Sequence, residues 1–174
     1  MNDVPVAGST LVLGGARSGK SGYAEQIVLN SGKSPVYVAT GRALDDEMLE
    51  RIEKHRDRRG DKWETVEEPL ALVDALRQSA HKDRIILIDC LTLWITNLMM
   101  ADADVVRECA SLADYISDTK VPLVFVSNET GMGLVPETKM GRKFRDLQGR
   151  VNQEIAACCD QVFFVAAGLP LQLK

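Results

Sequence analysis

The sequence predicts a three-layer α/β fold with a mostly parallel central sheet. Short apolar runs alternate with segments of helical spacing along nearly the whole chain, and this alternation places parallel strands between two layers of helices. A glycine-rich loop stands between the first apolar run and the first helical segment. The 174 residues are enough for one hydrophobic core. Because we find no internal repeat, low-complexity tract or linker, we predict a single domain over residues 1–174.

The individual elements are predicted from hydrophobic periodicity and from the turn residues that bound each run. The strands are expected, in chain order, at residues 10–13, 36–39, 63–66, 84–89, 121–126 and 162–165, with an edge strand at 171–173. The helices are expected at residues 20–30, 45–59, 69–79, 92–100, 103–118 and 138–158. The helix at 45–59 begins with Asp45, Asp46 and Glu47, and negative charge in a first turn favours a helix because of the helix dipole.

The charge of the chain bears on what it can bind. The net charge is −4 and the isoelectric point is about 5.3, which argues against general binding of DNA or RNA. Aromatic residues make up only 5% of the chain, so no stacking platform for bases is indicated. Residues 51–62 and 139–150 nevertheless carry local net charges of +3 and +4. Such segments suit a polyanionic small substrate such as a nucleoside triphosphate, and the alternative is two solvated helix faces.

The cysteines and the N-terminal segment bear on the compartment. The four cysteines form no C-x-x-C pair, and no second Cys/His cluster completes a zinc pattern. We interpret them as reduced thiols. The first ten residues contain an acid and no basic residue, unlike a signal peptide. No apolar run approaches the length that spans a bilayer. We therefore expect a cytoplasmic protein.

The glycine-rich loop matches the phosphate-binding pattern G-x-x-x-x-G-K-[ST]. It reads Gly14-Gly15-Ala16-Arg17-Ser18-Gly19-Lys20-Ser21. An apolar strand precedes it and a helix follows, as the pattern requires. The glycines let successive backbone N–H groups point at phosphate oxygens, and the helix adds its positive end. We predict that all eight residues bind nucleotide, that Lys20 is catalytic and that the Ser21 hydroxyl binds Mg²⁺. The alternative is a glycine-rich turn that holds no ligand.

Asp89 ends the apolar strand at 84–89. In P-loop proteins an acid at the end of a neighbouring core strand holds magnesium, directly or through water. We predict the metal role for Asp89, and the alternative is that it caps the following helix.

His55 is a candidate nucleophile. It shares a predicted helix face with Met48 and Ile52, and Arg51 and Arg59 lie one turn away on either side. A neutral imidazole can attack phosphorus, and its unperturbed pKa of about 6.5 leaves it mostly neutral at pH 7. Flanking arginines would lower the pKa of the imidazole further and could bind phosphate. The alternative is a partly buried histidine that ends an apolar stripe.

Several further segments, taken in order with the P-loop, carry a resemblance that runs over nearly the whole chain. They are Tyr37–Thr40, Asp45–Met48, Arg51-Ile52, His55-Arg56, Trp63–Thr65 with Glu67, Thr96–Leu98, Ser127–Gly133, Val135-Pro136, Phe144–Asp146 and Gly149–Asn152. With them the chain resembles the bifunctional adenosylcobinamide kinase / adenosylcobinamide-phosphate guanylyltransferase family of cobalamin biosynthesis. The P-loop alone would be generic, whereas the combination with the segments around His55, Asn128 and Arg150 is specific.

The resemblance implies a RecA-like P-loop NTPase fold and two activities. The first phosphorylates adenosylcobinamide with ATP or GTP. The second transfers GMP from GTP to adenosylcobinamide phosphate, with the guanylyl group resting on His55. The nucleotide-binding residues that the resemblance implies beyond the P-loop are Ala39, Thr40, Gly41, Arg56, Asp57, Arg58, Arg59, Glu67 and Asp89. It also implies a homo-oligomer, namely a trimer. The acid at Asp89 is a glutamate in some members, so its role as metal or guanine ligand stays open.

Two other functions remain open at this stage. A plain small-molecule P-loop kinase would use Lys20 but would form no covalent nucleotide on His55. A nucleotide-dependent interaction protein would bind nucleotide without turnover on any corrinoid.

Overall fold

The strands form one seven-stranded sheet in a computed structural model that describes residues 8–42 and 60–174. In chain order they are β1 (Ser9–Gly14), β2 (Ser34–Ala39), β3 (Glu64–Glu67), β4 (Arg84–Asp89), β5 (Leu123–Asn128), β6 (Gln161–Ala166) and β7 (Leu169–Gln172). Their order across the sheet is β3-β2-β4-β5-β1-β6-β7. Every neighbouring pair is parallel except β6 and β7. The predicted mostly parallel sheet is thus confirmed.

The described helices alternate with these strands. They are α1 (Lys20–Asn30), α2 (Leu72–Ser79), α3 (Leu91–Met100), α4 (Val105–Asp118) and α5 (Lys139–Cys158), and a short 3₁₀ helix covers Gly60–Lys62. The helix predicted at 45–59 lies outside the described residues. Within the two described ranges, no helix is both long enough and apolar enough to cross a membrane.

Several boundaries differ from the prediction by one to three residues, and two of them have clear local reasons. Helix α2 begins three residues after Pro69, because the Glu68 carboxylate accepts hydrogen bonds from the N–H groups of Leu70 and Ala71, both at 2.8 Å. These bonds hold the predicted first turn outside the helix. Strand β5 begins at Leu123 rather than at residue 121. The residue before it is Pro122, which offers a carbonyl to the Ile86 N–H but has no N–H of its own.

The sheet is buried on both faces, which explains its unbroken apolar strands. In β1, Leu11 points into one apolar cluster and Val12 into the other. Helix α1 covers the Val12 face, and helices α2 to α5 cover the Leu11 face. Helices on both sides of a mostly parallel sheet make the three layers that the sequence predicts.

The strand register brings the candidate site residues to one edge of the sheet. Gly14 is level with Asn128 of β5, and Asp89 is level with Ala39 of β2 and Val126 of β5. Strand β5 lies between β4 and β1, so Asp89 stands on the second strand from the P-loop strand and not on its direct neighbour. Ligands of open parallel sheets bind at this edge, beyond the carboxyl ends of the strands.

Candidate nucleotide site

The loop from β1 to α1 is held in a tight curl that needs glycine. A β-carbon on Gly14 would lie 2.5 Å from both the Ser18 hydroxyl and the Val165 carbonyl oxygen. Gly19 has a φ of 98°, and a β-carbon there would lie 3.1 Å from the Gly168 Cα. The Gly168 N–H donates to the Ser18 carbonyl at 2.8 Å. The turn between β6 and β7 therefore packs against the β1–α1 loop and supports it. A side chain at Gly14 would displace this loop.

The curl places a buried cation at the start of α1. Lys20 is the first residue of this helix and is only 7% exposed. Its ammonium group donates to the Gly15 carbonyl at 3.1 Å and so lies over the loop. None of the described side chains caps the helix N-terminus, and its first turn holds no acid. Uncapped N–H groups beside a buried cation form an arrangement that can hold phosphate oxygens.

The loop and the first turn of α1, residues 14–21, form what we call the phosphate cradle. Ser18 and Ser21 have different surroundings within it. Ser18 is 8% exposed, and its hydroxyl has no hydrogen-bond partner in the described part of the chain. A buried hydroxyl without a partner is costly unless a ligand or water satisfies it. Ser21 is half-buried in the first turn of α1. Its hydroxyl and the carboxylate of Asp89 are the hard oxygen donors that Mg²⁺ prefers.

Asp89 ends β4 and is half-buried, and a buried thiol, Cys90, follows it. Burial, and after it the charge of Asp89, raises the pKa of the Cys90 thiol to about 11, while the charge of Lys20 acts in the opposite direction. Cys90 is therefore a neutral thiol at pH 7 and a poor nucleophile. The described residues include no group of three or more His, Cys, Asp or Glu side chains that could hold a metal. A magnesium ion there would share its coordination with phosphate oxygens and water, as is usual for this ion.

The end of β2 is closed by a single threonine. Thr40 is fully buried, and its hydroxyl donates to the Cys90 carbonyl at 2.7 Å and accepts from the Cys90 N–H at 2.9 Å. The Thr40 carbonyl accepts a hydrogen bond from the Asn97 side chain at 2.7 Å. Thr40 thus fixes the end of β2 to the end of β4, and Gly41 follows against Leu93.

The end of β5 is held by a buried polar network from α5. The Ser127 hydroxyl donates to Asn152 Oδ1 at 2.7 Å, and the Gln148 amide donates to both of these oxygens at 2.9 and 3.0 Å. The Asn152 amide donates in turn to the Asn128 carbonyl at 3.1 Å. On the other side, the Thr92 hydroxyl accepts from the Asn128 N–H at 2.8 Å. Both backbone groups of Asn128 are therefore fixed.

The structure places most predicted site residues at the same edge. The P-loop, residues 39–41 and Asp89 meet there, and Glu67 joins them through its register with Ala39. His55 and residues 56–59 lie outside the described residues. Four supporting side chains had no predicted role, namely Thr92, Asn97, Gln148 and Asn152. The available signals were polar residues inside the apolar helix α3 and a Gln/Asn pair four residues apart in α5.

Solved structures share this fold at low sequence identity. One is an ATPase domain that is 12% identical with a TM-score of 0.54, and the alignment covers 92% of this chain and 70% of that chain. The flagellar accessory protein FlaH from Methanocaldococcus jannaschii is 13% identical with a TM-score of 0.57, over 98% of this chain and 80% of that chain. The three-layer fold is that of P-loop ATPases.

Sequence relatives are much closer. A bifunctional adenosylcobalamin biosynthesis protein, CobP of Pseudomonas aeruginosa, is 46% identical over 168 residues, which cover 94% of this chain and 96% of that protein. CobU of Escherichia coli, with the same description, is 38% identical over 179 residues, which cover 94% of this chain and 98% of that protein. Residues 10–173 match the family described as cobinamide kinase / cobinamide phosphate guanyltransferase. The chain therefore belongs to the cobinamide kinase / cobinamide phosphate guanyltransferase family.

Proposed function

We propose that this protein phosphorylates adenosylcobinamide with ATP or GTP and then transfers GMP from GTP to the adenosylcobinamide phosphate. One observation carries the proposal: a chain that matches this family over residues 10–173 forms an uncapped phosphate cradle with Lys20 over its loop. Both reactions act on the phosphates of a nucleoside triphosphate, and the cradle can hold them.

In the kinase step the hydroxyl oxygen of the acceptor attacks the γ-phosphorus. The bond from that phosphorus to the bridging oxygen breaks, the nucleoside diphosphate leaves, and the hydroxyl proton is released. The loop N–H groups hold the β- and γ-phosphates, and Lys20 stabilises the negative charge that shifts during transfer. Ser21 and Asp89 would hold magnesium. When bound, this ion neutralises phosphate charge and orients the triphosphate.

In the guanylyl transfer we assign the nucleophile to His55. Its imidazole nitrogen attacks the α-phosphorus of GTP, a P–N bond forms, and pyrophosphate leaves. A phosphate oxygen of the acceptor then attacks the same phosphorus, which breaks the P–N bond and restores the imidazole. The protonated state of Cys90, the thiol beside Asp89, supports a nucleophile other than this cysteine.

The remaining predicted ligands complete the nucleotide site in this proposal. They are Ala39, Thr40, Gly41, Arg56, Asp57, Arg58, Arg59 and Glu67. We further propose that the protein acts in the cytoplasm as a homo-oligomer, namely a trimer, with GTP, ATP and the corrinoid as partners and without nucleic acid. Sedimentation of the purified protein tests the assembly.

Incubation with α-labelled GTP and magnesium, followed by denaturation, tests the guanylyl transfer. We expect a labelled protein whose label is lost in acid and retained in alkali, as is usual for a phosphorus–nitrogen bond. The label should be absent from His55→Ala. The matched control is His81→Ala, because His81 is an exposed residue before β4. This variant should be labelled like the wild type.

A second candidate is a plain kinase. If wild-type protein binds GTP and phosphorylates cobinamide but forms no covalent GMP adduct, the kinase is the only function that remains. His55 would then be a packing residue. Loss of activity in Lys20→Ala with full activity in His55→Ala would support the same conclusion.

A further inference from the structure

An apolar groove lies between the end of α3 and the start of α5. We call it the α3–α5 groove. Its volume is about 310 Å³, and its apolar walls are Met99 and Met100 of α3 and Met140 and Phe144 of α5. None of the described residues that line it is charged. Met100 and Met140 are 66% and 50% exposed, so the groove presents apolar side chains to solvent.

The groove is adjacent to the end of β5. Thr96 lines it, and Thr92, one helical turn earlier in α3, holds the Asn128 N–H. On the other wall Phe144 precedes Gln148 of the Ser127 network by one turn. One turn of helix spans about 5.4 Å. Since Asn128 is level with Gly14 across β5 and β1, the groove lies about one helical turn from the sheet edge that carries the phosphate cradle.

The composition of the groove indicates what it binds. A nucleoside triphosphate is a polyanion, and methionine and phenylalanine side chains provide neither positive charge nor hydrogen-bond donors for its phosphates. A cobinamide is different, because its macrocycle has broad apolar faces. Methionine fits such irregular apolar surfaces because it is flexible and polarisable. By contrast, the lining of a second cavity of about 510 Å³ includes four charged side chains, Asp74, Arg77, Arg107 and Glu108.

Two enclosed oxygens lie at the carboxyl end of β5 and just after it, where Asn128 is level with Gly14 and the Glu129 N–H donates to the Gly14 carbonyl at 3.1 Å. Asn128 Oδ1 and Thr130 Oγ1 are buried, and neither has a hydrogen-bond partner among the described residues. Buried polar atoms of this kind are normally satisfied by protein, water or ligand. An acceptor oxygen beside the cradle suits a hydroxyl donor, which is the group that the kinase step phosphorylates.

We infer that the α3–α5 groove binds one edge of the corrin macrocycle of cobinamide and that Asn128 and Thr130 receive the side chain that carries its hydroxyl. The macrocycle with its carboxamide arms is larger than the groove. The rest of it lies over the loop that follows β5, whose Met132, Leu134 and Val135 are exposed. This inference rests on the proposed function, because it takes cobinamide to be the acceptor.

Charge placed in the groove tests the inference. Met100→Glu and Met140→Glu each put a carboxylate where the apolar ring would lie, which disfavours binding because the carboxylate must lose its water. We expect the Kd of cobinamide, measured by equilibrium dialysis without nucleotide, to rise about tenfold or more. A tenfold change corresponds to about 1.4 kcal/mol. In steady-state kinetics the KM for cobinamide should rise and the KM for GTP should stay within about twofold of wild type.

Leu29→Glu is the matched control, since Leu29 is 52% exposed near the far end of α1. It should leave both constants unchanged. Two outcomes would overturn the inference about the groove and leave the proposed function standing. In the first, both groove variants bind cobinamide as tightly as the wild type. In the second, the groove variants lose the wild-type oligomeric state on sedimentation, which would make the groove a subunit contact. Wild-type protein that neither binds nor phosphorylates cobinamide would overturn the proposed function together with the groove.

Discussion

The two flanks of Asp89 at the sheet edge are built in opposite ways. On the β2 side, Thr40 has its hydroxyl, N–H and carbonyl all in hydrogen bonds to Asp89, Cys90 and Asn97. On the β5 side, the backbone of Asn128 is equally fixed, but its side-chain oxygen is enclosed and has no partner in the described ranges. The first flank is closed and the second is open.

The difference indicates that one flank holds the site in position and that the other contacts the ligand. A buried polar group whose bonds are all internal contributes to stability, and its loss leaves its partners unsatisfied. A buried polar group without an internal partner contributes little to stability and has to gain its partner from outside. The closed flank therefore holds the end of β4 in place, whereas the open flank is the side from which we expect the acceptor to approach the cradle.

The largest expected effect comes from the glycine that joins the open flank to the cradle. Gly14→Ala places a methyl group 2.5 Å from the Val165 carbonyl oxygen, which belongs to a neighbouring strand and cannot move away cheaply. We expect loss of measurable GTP binding by calorimetry and a stability loss of about 1–3 kcal/mol in urea. Gly149→Ala is the control, because a β-carbon there meets nothing within 4 Å and Gly149 lies in α5, outside the P-loop. Equal GTP binding by the two variants would contradict the assigned curl.

The closed flank predicts a stability effect at Thr40. Thr40→Val keeps the shape of the side chain and removes the hydroxyl that bonds both backbone groups of Cys90. Two buried groups are then left unsatisfied, and we expect a loss of about 2–3 kcal/mol in the free energy of unfolding, measured by urea titration. Ser111→Ala is the control, since the Ser111 hydroxyl bonds only its own helix and is exposed. A loss below about 0.5 kcal/mol at Thr40 would mean that the β2 flank is not closed by this residue.

The open flank predicts the reverse pattern at Asn128. Asn128→Ala removes a side chain with no internal partner for its oxygen, so the free energy of unfolding should change by less than about 1 kcal/mol. Turnover with cobinamide should fall about tenfold or more, because the acceptor loses its positioning contact. Asn152→Ala should instead lose about 1–3 kcal/mol of stability, since Ser127 and Gln148 lose their shared acceptor. If Asn128→Ala loses stability but keeps its turnover with cobinamide, then Asn128 has the same structural role as Thr40 and the two flanks do not differ.

Sequence reasoning predicted the features that are local in the chain better than the contacts between distant residues. The strands and helices follow from apolar periodicity, and the phosphate cradle from glycine spacing, because both signals are local in the chain. The pairing of Thr40 with Cys90 joins residues 50 apart, and no spacing rule gives such a contact. The same is true of Ser127 and Asn152, which meet only because β1, β5 and α5 pack as they do.

The order of the strands in the sheet was the second feature that could not be predicted from the sequence. The sequence places Asp89 at the end of a buried strand, but it does not reveal that β5 lies between that strand and β1. Connections in parallel sheets can skip positions, and the sequence of one strand carries little information about its neighbours. The unpartnered oxygens of Asn128 and Thr130 were equally out of reach, since a missing partner becomes visible only when the packing is known.

The smallest expected effect lies away from the edge, where polar pairs are solvated. A hydrogen bond from Arg150 at 2.8 Å, joined by one from the Cys109 thiol, lowers the pKa of Glu154. A lowered folded-state pKa stabilises the protein above the unfolded value of about 4.3, and this contribution is lost as the pH falls through the folded value. Glu154→Gln should therefore lower the urea midpoint at pH 7 by no more than roughly 0.3 M, since exposed pairs are weak. The gap to wild type should narrow as the pH falls below about 4.3. Asp74→Asn breaks a looser exposed pair, at 3.4 Å, and should show no shift. A gap that persists unchanged at low pH would show that Glu154 stabilises α5 by packing and not by its charge.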